Sequence, residues 1–586
     1  MTDVLHRRRD LNGRTDDQGI ALFVVVAAMA VITLFLTTSL YVVLSNAEPS
    51  RSSQDAKAAY AAAEAGVDEY LARLNATSGN YWVAGNTDTT NPALTTSGPG
   101  QQVQGTNGSG ARFRYQLLNP GVIARDGKIR LQVTGVSAPG QTGTTGVTKT
   151  ITATLVPSGF VKYVYFSDVE VLDPALMSAQ VLFVNLNGSS SPGANRKYAM
   201  TKDDACSLRY YEGRSSAGFT LTGPTPAVGV WNTSTSAWSS APGAITAGQV
   251  TGIACTEIQW TGGDTVRGAL HSNDALQIGG AVTFTDPKTE SSWPLCQTNP
   301  AANCWWNSGV PATNRPRYGA PMSLPVSNQS LRTIATDTTA NVGCYYTGAT
   351  RITFNGTQMT VYSPNTTSAP ARCLNVANRA NPQIITTIPQ VIYVDQVAGG
   401  CVGAGYPVAN ESTTVGVTTD YTCNRGTALV QGTVNGQVTI AGLDDIVVTG
   451  DLTYTNGTNG NDVVGLVAGN NVWVYHPVRA DGTNLLAAAN NVYNIQAAVL
   501  ALRHSFIVQN WNLGSAMSTG SAATKLNITG SLAQKFRGPV GTGNGVTATT
   551  GYLKNYVYDS RLLNVQPPYF LQPVASPWSV ETLTDR

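Results

Sequence analysis

The sequence predicts a mainly β protein: a long N-terminal helix apolar enough to span a membrane, a small antiparallel sheet packed on that helix, and a C-terminal parallel β-solenoid. Three observations carry this expectation. Residues 20–44 form 25 consecutive positions without a charge. Three segments between residues 112 and 157 then alternate apolar and polar side chains, the period of a half-buried strand. From Gly263 onward, short apolar runs recur between Gly- and Asn-rich turns.

At 586 residues the chain is too long for one core, and two to four domains are expected. Charged residues make up 12%, half the usual ~25%. Runs of good helix formers are scarce after residue 75, and Gly reaches 59, so a turn-rich, secreted β protein fits. A net charge of +2 without a basic stripe excludes counterion-release binding to nucleic acid.

The helix comes first. Residues 20–44 would extend about 37 Å, enough to cross a bilayer with some tilt. Arg7, Arg8, Arg9 and Arg14 precede them and place the N-terminus on the cytoplasmic side. Secretion with cleavage after Ala47 is the competing reading, but the apolar run exceeds the ~7–15 residues of a signal core. An Ala-rich stretch follows, with Tyr60, Ala63, Val67, Leu71 and Leu74 at helical spacing and Glu64, Asp68 and Glu69 on the other side. Pro49 marks a candidate kink between the two halves.

The basic leader ending in Gly19, the run "IALFVVVAAMAVITLF" and the element "AYAAAEAGVDEYLARL" together resemble the N-terminus of the PilX-like branch of type IV pilin-like proteins, over residues 7–75. The resemblance implies that a prepilin peptidase cuts after Gly19 and N-methylates Ile20. It also implies that the helix later leaves the membrane for a filament core, with Val24, Tyr60, Glu64, Val67 and Leu71 as packing positions. Its implied partners are the membrane, other pilin-like subunits and the pilus assembly machinery. Most major pilins carry Glu at the fifth mature position, where this chain has Val24. Loss of a charge that sets subunit register suits a minor or tip component rather than a bulk subunit.

The head follows. Phe113, Tyr115 and Leu117 share one face of their segment, as do Ile129, Leu131 and Val133, and Ile151, Ala153 and Leu155. An antiparallel sheet burying these faces against the amphipathic helix is the expected solution. The division is a leader at 1–19, the helix at 20–75, the β head at 76–158, a connecting region at 159–262, the solenoid at 263–565 and a tail at 566–586.

Within the solenoid, "AGNNVWV" at 468–474 and "AANNVYN" at 488–494 echo one another. An echo at that spacing suggests coils of about 20 residues, built from short strands joined by Gly/Asn turns. Such coils stack ~4.8 Å apart, with corner asparagines bonding to their counterparts in adjacent coils. A β-sandwich is the competing fold. The phrases "GALHSNDAL", "GDLTY", "GLVA" and "KFRGPVG…GYLKNYVYDSRL" resemble the right-handed β-helix domains that accompany PilX-like N-termini, which implies that hand of winding.

All eight cysteines lie between Cys206 and Cys423, without a CxxC pair and with only four histidines in the chain, which disfavours zinc. Disulfides between sequence neighbours are expected: Cys206–Cys255, Cys296–Cys304, Cys344–Cys373 and Cys401–Cys423. Asp168, Glu170 and Asp173 lie close enough for a calcium site, but a solvated loop accounts for them without a metal. Asp274, Asp444, Asp445, Asp451, His271, His476 and His504 are the candidates for glycoside chemistry. Successive acids such as Asp444 and Asp445 point to opposite faces of a strand, so polar corners are the simpler reading. The expectation is therefore a non-catalytic protein without cofactor or metal. Ten Trp and 24 Tyr, including Trp305–Trp306 and Tyr345–Tyr346, offer stacking surfaces for an extracellular glycan or cover the core.

Overall fold

The computed structural model describes residues 17–76, 81–104, 110–138, 146–157, 159–174, 258–262, 264–402, 423–479, 481–519, 521–543, 547–574 and 577–585. It adds short pieces at 181–184, 198–201, 206, 230–232 and 237–239. One helix, Asp17–Ala76, runs unbroken through Pro49 for 60 residues, or about 90 Å. Its first half is bare: Leu22–Val43 is exposed throughout, and among the described residues it is the one helix long and apolar enough to cross a membrane. Its second half is packed, with Ala59, Ala62, Ala63, Val67, Tyr70 and Leu74 buried.

That face lies on an antiparallel sheet of Gln101–Gln102, Arg112–Leu117, Ile129–Val136 and Thr148–Pro157. The nine alternating side chains expected to face inward are all buried to within 3% exposure. The contact is close because small residues meet at it. A methyl group on Gly135 would lie 2.0 Å from the Ala59 carbonyl oxygen, and one on Gly66 would lie 2.6 Å from a Val133 methyl. The "AAEAG" element is thus the flat part of the helix that lets the sheet approach.

The sheet has a fifth strand that the sequence does not announce. Trp578–Asp585 pairs antiparallel with Thr148–Pro157, so the stretch divided off as a tail closes the head sheet. Trp578 packs into the head core, and Asn75 at the end of the helix bonds both its N–H (2.7 Å) and its carbonyl (3.3 Å). Everything between residues 157 and 578 is therefore inserted into the head.

Among the described residues, the body of the insert is a stack of parallel strands, with antiparallel additions such as Gln358–Tyr362 on Thr350–Gly356. On one face ten strands pair in series: Gly343–Thr347, Val391–Asp395, Gln437–Gly442, Val463–Ala468, Asn494–Ala501, Leu526–Arg537, Tyr165–Leu172, Leu270–Ser272, Thr289–Ser291 and Arg317–Tyr318. Nine steps of ~4.8 Å make this face about 43 Å long. A second face repeats the parallel register through Ile352, Val430, Val448, Val474 and Val508. A third runs through Leu452, Ile495, Ile528, Tyr556, Val266 and Phe284. The inward residues of all three faces form one apolar core.

The order of the strands is not the order of the chain. Tyr165–Leu172, the first to enter, lies in the middle, between the rung at 526–537 and the rung at 270–272. The chain winds from there to one end at Tyr318 and crosses to the far end at Gly343, from which it winds back to the middle. The crossing carries the helix Gln329–Thr336, and Met322, Leu331 and Ala335 seal the outside of the ten-strand face. Asn328 donates to the Gly442 carbonyl at 2.7 Å midway along it. This arrangement brings entry and exit together beside the head.

Two expectations are corrected here. Asp168 and Glu170 are not on a solvated loop but in residues 165–172, a strand buried along its whole length, and Asp173 just beyond its end is buried too. The echo between 468–474 and 488–494 is not the length of a coil either. Val472 stacks on Phe506 and Asn494 on Asn527, so each coil here is longer than the echo, and the two coils differ from one another by one position. Only the strands of a parallel stack must match, so the loops between them vary freely and blur the period.

Candidate functional sites on the helix and in the strand stack

The helix carries the residues singled out for processing and packing. Gly19 and Ile20 lie in its first turns. Val24 is 60% exposed on the bare half. On the packed half Val67 is buried, Tyr60 and Leu71 are half-buried at the rim, and Glu64 faces solvent. The helical spacing had the right period but a slightly rotated face. The central aromatic is Tyr70, fully buried and edge-on to Tyr115 at 5.2 Å between centroids. Tyr115 donates to Glu69 at 2.5 Å and accepts from Asn91 at 2.6 Å, tying the helix to the sheet and its flanking loop. The signal for Tyr70 was its place two helical turns after Ala63.

Three of the expected disulfides are formed: Cys296–Cys304, Cys344–Cys373 and Cys401–Cys423. Cys206 is also disulfide-bonded, and Cys255 lies outside the described residues.

The acids of the stack are each bound to separate partners. Asp168 accepts from Asn273 at 2.8 Å. Glu170 accepts from Trp260 at 3.2 Å, from Arg537 at 3.0 Å and from Ser167. Asp173 accepts from Ser505 at 3.1 Å and lies 3.1 Å from His504 Nδ1. Among the described residues no group of three His, Cys, Asp or Glu side chains is placed to hold a metal.

The residues considered for catalysis join neighbouring rungs instead of converging. Asp444 accepts from the Gly426 N–H at 2.9 Å and Asp445 from the Asn471 N–H at 2.9 Å. Burial pushes the Asp445 carboxyl up despite that bond and the nearby Arg425. Asp451 accepts from the backbone of Tyr493 and Asn494 and from the Asn494 amide at 2.6 Å. Asp274 accepts from the Glu170 N–H at 3.0 Å. His476 Nδ1 lies 3.0 Å from the Gln509 carbonyl, and burial pushes its pKa down.

His271 has the neighbours of a hydrolytic triad without its connectivity. Nδ1 lies 3.0 Å from Glu290, and Ser292 Oγ lies 3.4 Å from Nε2. However, Nε2 is closer to Asn273 Oδ1, at 3.2 Å. That amide oxygen also accepts from the Met322 N–H while its NH₂ donates to the Met322 carbonyl, so its orientation is defined. Nε2 therefore faces an acceptor and is not free to take a proton from Ser292. Burial pushes the Glu290 carboxyl up, but the His271 bond, Lys288 and Tyr163 together hold it below the usual range.

The corner asparagines behave as expected. Asn527 donates to Asn494 at 3.3 Å and accepts from Asn555 at 2.8 Å, and Asn555 accepts from Arg267 at 2.7 Å. With Asp451 this ladder crosses five successive rungs.

Of the aromatic pairs, Trp305 and Tyr346 are buried in the core while Trp306 and Tyr345 are half-buried beside it. Covering the core is their role. Trp260 is different. It is buried, and its ring carries the Arg537 guanidinium at 4.0 Å and the Lys554 ammonium at 5.7 Å. It borders a cavity of about 210 Å³ lined also by Lys554, Tyr556, Arg267, Lys525 and Asp264. No sequence pattern singled out this cluster. Its members come from distant parts of the sequence and meet through the pairing of Val266–Arg267 with Tyr556–Val557.

No protein-family model and no curated protein matches the chain. Among solved structures, the crystal structure of the competence-associated pilin ComZ from Thermus thermophilus aligns with 90% of this chain and 97% of its own length. The identity is 13% and the TM-score 0.27, a likeness that carries no argument about fold or function.

Proposed function

We propose that this chain is a minor pilin-like component of a type IV pilus or related secretion pseudopilus, anchored by its N-terminal helix and displaying the inserted strand stack outside the membrane. The observation that carries this reading is the contrast within one helix. Residues 22–43 expose Phe, Leu, Ile and Val side chains with nothing of the protein against them, whereas residues 59–74 are packed on a sheet. An apolar rod of that length is soluble only in lipid or among similar rods. Gly19 and Ile20 at its start suit leader cleavage and methylation, and Val24 in place of an acid suits a minor position.

On this reading the stack is a right-handed β-helix, the hand that parallel crossovers adopt in ~98% of sheets, and its role is display without catalysis. The individual hydrogen-bond commitments of the acids support that role. N-terminal sequencing and intact mass of the native protein are the test. A chain beginning at N-methylated Ile20 is expected; a chain retaining Met1, or beginning at Glu48, would overturn the pilin reading.

A further inference from the structure

We infer that the cavity beside Lys554 binds one acidic sugar unit, with the sugar carboxylate on the Lys554 ammonium. Strand register makes Lys554 exceptional. It pairs with Leu526 and shares its strand face with Tyr556, and both neighbours are buried in the apolar core. An inward column of this stack therefore contains a lysine where the neighbouring rung has leucine. Lys554 itself is half-buried and lines the cavity, so its ammonium meets whatever enters there and favours an anion.

The nearest acids bond to other groups and not to Lys554. Asp264 accepts from the Thr261 N–H at 2.9 Å and its hydroxyl at 3.3 Å. Glu170 is held by Arg537, Trp260 and Ser167. Among the described residues the Lys554 ammonium has a ring contact but no hydrogen bond or ion pair. Desolvation and the nearby Arg537 push its pKa down to about 8. Lys525 and Arg267 add positive charge at the rim against Asp264, the one acid among the described lining residues.

Size and lining then choose among anions. A volume of about 210 Å³ equals roughly seven waters, too large for a lone small ion and suited to one sugar ring. Gln259, Thr265 and Thr542 supply the amide and hydroxyl groups a polyol needs, and Tyr556 supplies an apolar wall. The inference deepens the display reading by naming a ligand class; it rests on that reading only for access to extracellular glycan.

The test is calorimetric titration of the full chain in detergent at pH 7 with glucuronate, glucose and inorganic phosphate. Saturable glucuronate binding is expected, with no glucose binding and phosphate weaker by about tenfold or more. Lys554→Met should weaken glucuronate by about tenfold or more, the loss of one charge-assisted contact. Should that variant fold poorly, Arg267→Gln at the exposed rim should weaken glucuronate without disturbing the core. Absence of glucuronate binding, glucose binding equal to it, or wild-type affinity in a folded variant would each overturn the inference. Phosphate bound as tightly as glucuronate would overturn the sugar assignment and leave an anion site. None of these results bears on whether Ile20 is the mature N-terminus, so the two readings fail separately.

Discussion

Gly135→Ala should loosen the long helix from the head sheet. The added methyl would sit 2.0 Å from the Ala59 carbonyl oxygen and 2.4 Å from the Ala63 nitrogen. Both obstacles are helix backbone, so no rotamer change relieves them. Restoring an ordinary separation of about 3.4 Å requires the helix to move by about 1.4 Å. A gap of even 0.5–1 Å forfeits a quarter to a half of a van der Waals contact, and the displaced face includes Ala63, Val67 and Tyr70 against Phe113, Tyr115 and Val133. Overpacking of this kind costs about 1–3 kcal/mol. Amides of Ile129–Val136 should then exchange with solvent roughly 5- to 150-fold faster. Gly66→Ala meets side chains instead, at 2.6 Å and 2.9 Å, and gains about 0.5–1 kcal/mol of helix propensity, so its effect should be smaller. Gly121→Ala has open space and should change nothing. Hydrogen exchange read by mass spectrometry gives all three. Wild-type exchange in Gly135→Ala, or an equal effect in Gly121→Ala, would refute the argument that small residues set this interface.

Three further outcomes follow from the stack. Removing Cys344–Cys373, which spans 29 residues, should destabilise the stack by about 3–4 kcal/mol on the chain-entropy model, against about 2.5 kcal/mol for the 8-residue Cys296–Cys304 span; urea unfolding of the Cys→Ala pairs compares them. Asn527→Ala cuts the ladder in both directions and should cost about 1–3 kcal/mol, visible as faster exchange in both Asn494–Ala501 and Lys554–Tyr558. Lys554 is depressed in the fold, so the unfolded chain binds the extra proton between pH 8 and about 10.4. Its contribution to unliganded stability should therefore rise with pH across that window. Arg537, Lys525, Arg267, Asp264 and Glu170 are the charged groups around it, and Lys554→Met should remove its share of the slope in denaturant titrations at pH 7.5 and 10.

Local patterns in the sequence determined the local structure. The uncharged run makes an apolar helix, exposed over residues 22–43, wherever the rest of the chain goes, and period-2 alternation buries Phe113, Ile129 and Ile151 on one face because strand geometry allows nothing else. Corner asparagines bond to their counterparts because parallel rungs repeat at a hydrogen-bonding distance. Tertiary structure decided what depends on distant segments meeting. Trp578–Asp585 joins the head through pairing with Thr148–Pro157, at the other end of the folded sequence. Tyr165–Leu172 becomes a central rung, and its two acids, with Asp173 just after it, become buried brackets, only because strands from both halves of the insert stack on it. Lys554 turns inward by register with Leu526, and no property of "YLKNYVY" alone distinguishes the face it will take. A parallel rung has two open edges of similar hydrogen-bonding character, so its neighbours are selected by side-chain fit and chain connection over long range, and this information is spread across the whole sequence.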